Sequence, residues 1–147
     1  MKPSTNPTPD AVLAGMLARD SFSQWLGLTV DEVGPGYCRL HFVVREEMLN
    51  GFGTLHGGVT FAAADSAFAF ACNSDGQLSV ALSVTMDYLE PGRAGDVLEV
   101  EAREEHLKTK IGVYQVRVRK QDGAALALFK GTAYRTGRPV LPTSEEL

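Results

Sequence analysis

The stretch GGVTFAAADSAFAFAC, residues Gly57–Cys72, decides the fold. Its only polar side chains are those of Thr60, Asp65 and Ser66, and six alanines and three phenylalanines make up most of the rest. A helix that is apolar on every side is a buried helix. The stretch is too short, and Asp65 too polar, for a membrane span. The sequence therefore predicts one long helix at the centre of the molecule.

Sheet-forming sequence surrounds this helix. Six runs alternate apolar and polar residues with the period of a β-strand. The connections are short, and short connections indicate antiparallel neighbours. Such a sheet must bury one face, and the apolar helix is the element available to cover it. We therefore predict an α+β fold in which a curved antiparallel sheet wraps around one long central helix. The predicted strands are 28–33, 37–44, 78–89, 96–106, 111–120 and 124–135.

The two ends of the chain have a different character. Residues 1–9 carry three prolines and no apolar cluster, which predicts a flexible N-terminal tail. A short helix follows, capped by Thr8, and another helical turn has Phe22 and Trp25 as its anchors. The single domain is predicted to cover residues 10–137, and residues 138–147 form a C-terminal tail.

Composition narrows the possible functions. The chain has 147 residues, 44% of them hydrophobic, and a net charge of −4, which fits one ordinary globular domain and disfavours a nucleic-acid binder. No apolar segment follows the N-terminus, so we expect no secretory signal and a cytoplasmic protein. Cys38 and Cys72 lack metal-ligand spacing and read as buried small hydrophobes in a reducing compartment. No metal, membrane or separate cofactor is expected.

The loop NGFGTLHGG, residues 50–58, runs into the start of the helix. Its last two glycines allow close approach to the backbone, and free N–H groups at a helix start favour an anion or a developing oxyanion. The alternative is that these glycines serve only packing. His56 either orients a substrate group or caps the helix. Asn50 either holds a water and fixes the loop or is simply a turn residue.

Asp65 is the residue that points most clearly to a catalytic role. A carboxylate inside an apolar helix is costly unless it is paired or functional. The alternatives are a hydrogen bond to Ser66 or to a strand, and a polar patch at a subunit contact. Gly57 and Asp65 lie about 12 Å apart along one helix axis. One reaction can use both only if two helices lie antiparallel, so the sequence predicts a two-fold dimer with two shared sites.

At these residues the chain resembles a known family. The pattern NxxGxxHGG at 50–58, followed by ADSAFA at 64–69, resembles the signature of hotdog-fold acyl-CoA thioesterases. DSAFAFACNS at 65–74 is similar to the phenylacetic acid degradation branch, and the resemblance runs from about residue 22 to about residue 137. It implies hydrolysis of an acyl-CoA, with an aryl-acetyl group such as phenylacetyl or hydroxyphenylacetyl, to a free acid and coenzyme A.

The resemblance also implies roles for individual residues. The Gly57 amide would polarise the thioester carbonyl, and Asp65 of the partner subunit would be the nucleophile or the general base. Asn50 and His56 would hold substrate and water, and Ser83 would orient the water or Asp65. From the residues alone, Ser83 can equally be a small strand residue without a role.

The coenzyme A part of the implied substrate predicts a set of substrate-binding residues. Its phosphates require a local basic patch on an acidic protein. The candidates are Arg93, Lys108 and Lys110, and also Arg117 and Arg119 on one strand face. Each can equally be an ordinary surface charge. Gly58 and Phe52 complete the set. Four aromatic side chains would line an aryl pocket or belong to the core, namely Phe52, Phe61, Phe68 and Tyr88.

Two further expectations concern function class and assembly. A non-catalytic acyl-CoA-binding sensor on the same fold is the alternative function. A hotdog dehydratase is disfavoured because the helix offers no glutamate. On the strand after the helix, one face carries only apolar residues, namely Val80, Leu82, Val84, Met86 and Tyr88. If Ser83 faces the helix, that apolar face points away and needs a cover. We therefore expect homodimers to pair through their sheets into a homotetramer.

Overall fold

The computed structural model describes residues 6–142. Helices and strands do not alternate along the chain, because four of the six strands follow the long helix. The two N-terminal helices are followed by a hairpin, a 3₁₀ turn, the long helix and four strands. In chain order they are α1 (Pro9–Arg19), α2 (Ser21–Leu26), β1 (Thr29–Gly34), β2 (Tyr37–Val43), the turn Glu46–Met48, α3 (Gly57–Cys72), β3 (Gln77–Tyr88), β4 (Val97–Leu107), β5 (Ile111–Lys120) and β6 (Ala125–Pro139).

The sheet is antiparallel throughout and has the order β1-β2-β4-β5-β6-β3. The expectation that β3 and β4 are neighbours, drawn from their short connection, is wrong, because β3 pairs with β6 at the sheet edge. Eight residues of extended chain reach about 26 Å. Crossing two intervening strands takes only about 14 Å. A short connection therefore does not require adjacent strands.

Helix α3 lies in the concave face of this sheet. It contacts all six strands, and most of its side chains are buried, as its composition predicts. Phe68 packs against the rings of Tyr114 and Phe129 at centroid distances of 5.5 and 5.7 Å. Gly131 lets the sheet approach this ring, since a Cβ there would lie 2.8 Å from it. The predicted helix bounds and the sheet wrapped around α3 are confirmed.

The faces of β3 are the reverse of those expected in the second half of the strand only. The register shifts between Ala81 and Ser83, which inserts one extra residue into β3. Val84 and Met86 pack against the core, and Tyr88 is bonded to α3. Of the apolar face that was expected to point away, Val84, Met86 and Tyr88 therefore face the helix. Val80 and Leu82, at and before the extra residue, stay exposed by 47% and 61%. The argument for the tetramer is thereby reduced to Val80 and Leu82, which remain an exposed apolar pair on β3.

The ends of the described chain differ in part from the expected tails. Thr8 caps α1 as predicted, with its hydroxyl accepting from the Ala11 N–H. Strand β6 continues to Pro139, so residues 136–139 belong to the sheet. Phe22 and Trp25 are more than half exposed and are not the anchors of α2. The rest of the predicted tails, residues 1–5 and 143–147, lies outside the described residues.

A membrane span was not expected. Across residues 6–142, no helix combines the length and the apolar character that crossing a bilayer requires.

Candidate active site

The site is built around the first turn of α3. His56 is the N-cap, and its Nδ1 accepts from the Gly58 N–H at 2.9 Å. Nδ1 can accept only when it carries no proton, so the neutral ring has its proton on Nε2. Gly57 is the first helical residue, and its N–H has no partner within the helix. His56 thus caps the helix, and within residues 6–142 the Gly57 N–H is left without a hydrogen-bond partner.

Gly58 is required by a close contact. A Cβ at Gly58 would lie 2.9 Å from His56 Nδ1, which would displace the capping ring. Gly58 therefore contributes by admitting the cap, while its amide is already bonded. On the other side, the Tyr88 hydroxyl donates to the Gly57 carbonyl oxygen at 3.0 Å.

Asn50 organises the loop before the helix. Its Oδ1 accepts from the N–H groups of Phe52 and Thr54 at 2.9 and 3.2 Å. Its Nδ2 donates to Thr54 Oγ1 at 3.1 Å. These bonds make Asn50 the residue that fixes the loop. Phe52 stands at the tip with 93% of its surface exposed and contributes to no core.

A cleft of about 370 Å³ opens beside Gly57. The connection from β3 to β4 forms one wall, held there by the bond from Leu55 N–H to Gly92 O at 2.8 Å. The walls are largely apolar and include Leu55, Thr60, Tyr88, Pro91 and Leu126. Gly57, whose N–H has no hydrogen-bond partner within residues 6–142, thus lines a largely apolar cleft.

Asp65 lies two turns further along α3 and is half-buried. Within residues 6–142 its carboxylate has no hydrogen-bonded or ionic partner. The expected alternative partner, Ser66, is instead bonded to Ser23 Oγ at 2.8 Å. Burial raises the pKa of Asp65, since desolvation penalises the charged form and nothing offsets it. The helix therefore carries an unpaired carboxylate that its own chain does not use.

One chain does not bring all predicted site residues together. His56, Gly57 and Gly58 are consecutive at the start of α3, and Asn50 lies in the loop that leads to it. Asp65 is on the same helix about 12 Å away. Ser83 lies on the exposed edge strand, where it pairs with Thr132. No hydrogen bond to its hydroxyl is formed in the described part of the chain.

Arg117 and Arg119 lie on β5, and the other three predicted basic residues lie at opposite ends of the sheet. Arg93 follows Gly92, next to the cleft, and its side chain is exposed. Lys108 and Lys110 lie in the turn after β4, whose 11 residues span roughly 33 Å. In a single chain these three cations therefore do not form one patch.

The aromatic residues divide between core and surface. Phe68 is 1% exposed and belongs to the core, whereas Tyr88 lines the cleft. Tyr88 is the contact that sequence reasoning missed at the helix start. Its place at the end of β3 becomes informative only once β3 is known to run beside α3.

The raised pKa of Asp65 has a consequence for stability. The folded carboxyl binds its proton more tightly than the unfolded one, so its ionisation destabilises the fold as pH rises through the folded pKa. We expect Asp65→Asn to raise the Tm by a few degrees near neutral pH. The gain should vanish below the unfolded pKa of about 3.9.

Calorimetry from about pH 3.5 to 8 measures this effect. Asp87→Asn, which removes the same charge from an exposed position on β3, is the matched control and should leave Tm nearly unchanged. A lower Tm for Asp65→Asn at neutral pH would contradict the account of an unpaired carboxylate.

Comparison with known proteins agrees with this geometry. The family model of the thioesterase superfamily matches residues 52–127. The acyl-coenzyme A thioesterase PaaI of Escherichia coli strain K12 is 38% identical over 122 residues, which cover 83% of this chain and 87% of that protein. A solved structure of the E. coli PaaI protein, from the phenylacetic acid degradation operon, matches with a TM-score of 0.88 and 36% identity, over 89% of this chain and 95% of that chain.

Two other solved structures share the fold. The protein TT0310 from Thermus thermophilus matches with a TM-score of 0.77 and 44% identity, over 80% of this chain and 98% of that chain. The protein smu.793 from Streptococcus mutans UA159, solved bound to acetyl CoA, has a TM-score of 0.74 and 27% identity. That match covers 76% of this chain and 90% of the other.

The fold and the site together define an enzyme of the hotdog class. A six-stranded antiparallel sheet encloses one helix, and a cleft opens where that helix begins. The chain belongs to the thioesterase superfamily, as its resemblance predicted. The expected enzyme class, a thioester hydrolase, is confirmed.

Proposed function

We propose that this protein is an acyl-CoA thioesterase, which hydrolyses CoA thioesters to a free acid and coenzyme A without a metal or separate cofactor. The observation that carries the proposal is the open amide of Gly57 at the apolar cleft. Its support includes the acyl-CoA thioesterase relative from E. coli and the S. mutans structure bound to acetyl CoA.

The reaction follows from the chemistry of the helix start. The thioester carbonyl oxygen accepts from the Gly57 N–H, and the helix dipole stabilises the negative charge that develops there. Addition at the carbonyl carbon gives a tetrahedral intermediate. Its collapse breaks the C–S bond, releases the CoA thiolate and leaves the acid. The thiolate then takes up a proton.

Asp65 of the partner subunit supplies the second group. As a general base it takes a proton from the attacking water, and its raised pKa makes it a stronger base than an exposed carboxylate. As a nucleophile it forms an acyl-carboxylate anhydride that water then hydrolyses. Label in the Asp65 carboxylate after single-turnover hydrolysis in ¹⁸O-water would indicate the nucleophilic route, because a general base gains no oxygen from the water.

The homodimer that this chemistry needs has support on the surface of the chain. Phe61, Ala62, Asp65 and Ala69 recur at helical spacing along the least buried stripe of α3. Strand β3 borders this stripe and is a long edge strand with one unpaired side. An antiparallel copy of α3 on this stripe brings Asp65 of one subunit to Gly57 of the other.

The proposal also covers the preferred acyl group, the pathway, the location in the cell and the oligomeric state. The branch resemblance favours an aryl-acetyl group and a role in phenylacetate degradation, and the apolar cleft walls accommodate such a group. A cytoplasmic location, a single domain at residues 10–137 and a homotetramer stay predictions. Light scattering tests the last of these, since a dimer mass would contradict the tetramer.

Thiol release from phenylacetyl-CoA, a hydroxyphenylacetyl-CoA and a medium-chain acyl-CoA tests the function. We expect turnover, with the fastest substrate identifying the acyl group. Tight binding of acyl-CoA without any turnover would instead favour the non-catalytic acyl-CoA-binding module. The unpaired Asp65 beside an intact loop argues against that alternative.

The basic residues give a separate prediction about the coenzyme. Charge reversal at the residue that holds a CoA phosphate should raise KM for an acyl-CoA about tenfold. It should not change KM for an N-acetylcysteamine thioester of the same acyl group, which has no phosphate. Arg93→Glu tests the residue at one end of the sheet. Lys108→Glu and Lys110→Glu test the two lysines in the turn after β4, at the other end.

The matched control is Lys130→Glu, on the outer face of β6. It should leave both KM values unchanged. An unchanged KM for acyl-CoA in any of the three test variants removes that residue from the binding site.

A further inference from the structure

One peptide group at the start of α3 is held from both ends by side chains. This group joins Gly57 to Gly58. Its N–H donates to His56 Nδ1 at 2.9 Å, and its carbonyl oxygen accepts from the Tyr88 hydroxyl at 3.0 Å. Tyr88 is the last residue of β3, so the clamp ties the edge strand to the first turn of the helix.

The clamp acts where the backbone is least constrained. Two consecutive glycines have more conformational freedom than any other pair, and ordering them costs correspondingly more entropy. The open N–H of Gly57 belongs to the preceding peptide and is separated from the clamped one only by the Gly57 Cα. Holding one peptide therefore restricts the direction of the other.

The Tyr88 ring adds a steric contact to the hydrogen bond. A Cβ at Gly57 would lie 3.2 Å from Tyr88 Cε1 and 3.3 Å from its Cζ, so the ring lies directly against the glycine backbone. Tyr88 also lines the cleft and is 54% exposed. The half-exposed Tyr88 side chain is thus held by its contact and its hydrogen bond with the Gly57 backbone, the same group that it positions.

We propose that Tyr88 is a positioning residue, which together with His56 fixes the peptide between Gly57 and Gly58 and so aims the Gly57 N–H at the thioester carbonyl. This inference rests on the proposed function. Tyr88 acts through Gly57 and touches no reacting atom. Its loss should lower kcat more than it raises KM, because the donor matters most when charge develops on the carbonyl oxygen.

Tyr88→Phe tests the hydroxyl alone, since the ring stays. We expect kcat to fall about tenfold, with KM changed less than about twofold and the folded fraction unchanged. Tyr134→Phe is the matched control, because Tyr134 is a partly exposed tyrosine on β6 and its hydroxyl makes no hydrogen bond within residues 6–142. A kcat for Tyr88→Phe within about twofold of wild type would overturn the proposal.

A double-mutant cycle distinguishes the clamp from general stabilisation. If Tyr88 and His56 hold the same peptide, Tyr88→Phe should cost at least about threefold less in kcat on a His56→Ala background than on wild type. Equal costs on the two backgrounds would show independent action and overturn the shared clamp. A merely structural role would lower Tm and leave kcat per folded enzyme unchanged.

Amide spectra of ¹⁵N-glycine-labelled protein give a readout that needs no turnover. In Tyr88→Phe the Gly57 and Gly58 resonances should shift, while that of Gly123, in the turn between β5 and β6, should not. Unshifted Gly57 and Gly58 resonances would overturn the clamp. If wild type hydrolyses no thioester, the proposed function fails, and these spectra still decide whether Tyr88 holds the peptide.

Discussion

Asp65→Asn should lower kcat for acyl-CoA hydrolysis by about 10² or more while the protein stays folded and keeps its oligomeric state. Asparagine has nearly the shape of aspartate, but it neither accepts a proton from water nor attacks a carbonyl at neutral pH. Both routes for Asp65 therefore fail in the variant. Steady-state thiol release, with the folded state checked by calorimetry, measures the effect.

The same variant is expected to be more stable than wild type near neutral pH, because burial raises the pKa of Asp65. Lost activity with raised stability is the pattern of a functional charge that the fold tolerates at a cost. Asp87→Asn again serves as the control and should keep wild-type kcat. An Asp65→Asn enzyme within about fivefold of wild-type kcat would remove Asp65 from the chemistry.

Gly57→Pro should lower kcat by about 10² to 10³, the cost of removing one oxyanion donor. Proline has no N–H, yet it is favoured at the first position of a helix. The preceding residue, His56, already has φ −63° and ψ 130°, which proline accepts in its neighbour. The substitution therefore deletes the proposed donor with little demand on the backbone.

Gly57→Ala is the matched control. Its Cβ meets the same Tyr88 ring at 3.2 Å, but the N–H stays. We expect Gly57→Ala to keep most of the wild-type kcat. Equal losses in the two variants would show that the contact with Tyr88, rather than the amide, accounts for the effect.

The central helix could be predicted from the sequence with its correct bounds. The residues between His56 and Asn73 are apolar on all sides of the helix. The position and the burial of the helix could therefore be predicted without knowing the other elements. The bounds of the strands were predicted to within a few residues, because the alternation of apolar and polar residues is also a local pattern. The place of β3 at the sheet edge could not be predicted, because a short connection allows more than one neighbour.

The candidate site was predictable in its parts but not in its contacts. Gly57 and Asp65 are visible in the sequence as a glycine pair at a helix start and a carboxylate in an apolar helix. The extra residue in β3 reversed the faces of the residues that follow it, and alternation alone does not reveal it. Tyr88 was therefore not assigned to the helix start, where it holds the Gly57 carbonyl.

Subunit complementation tests most directly whether each active site joins Gly57 of one subunit to Asp65 of its partner. Asp65→Asn and Gly57→Pro chains are co-expressed with different tags, and the mixed dimer is purified through both. Each homodimer should be nearly inactive.

In the mixed dimer, the first chain keeps its Gly57 and the second keeps its Asp65, so one of the two sites is intact. The account predicts about half of the wild-type kcat per dimer. A mixed dimer no more active than its two parents would contradict a site shared between subunits.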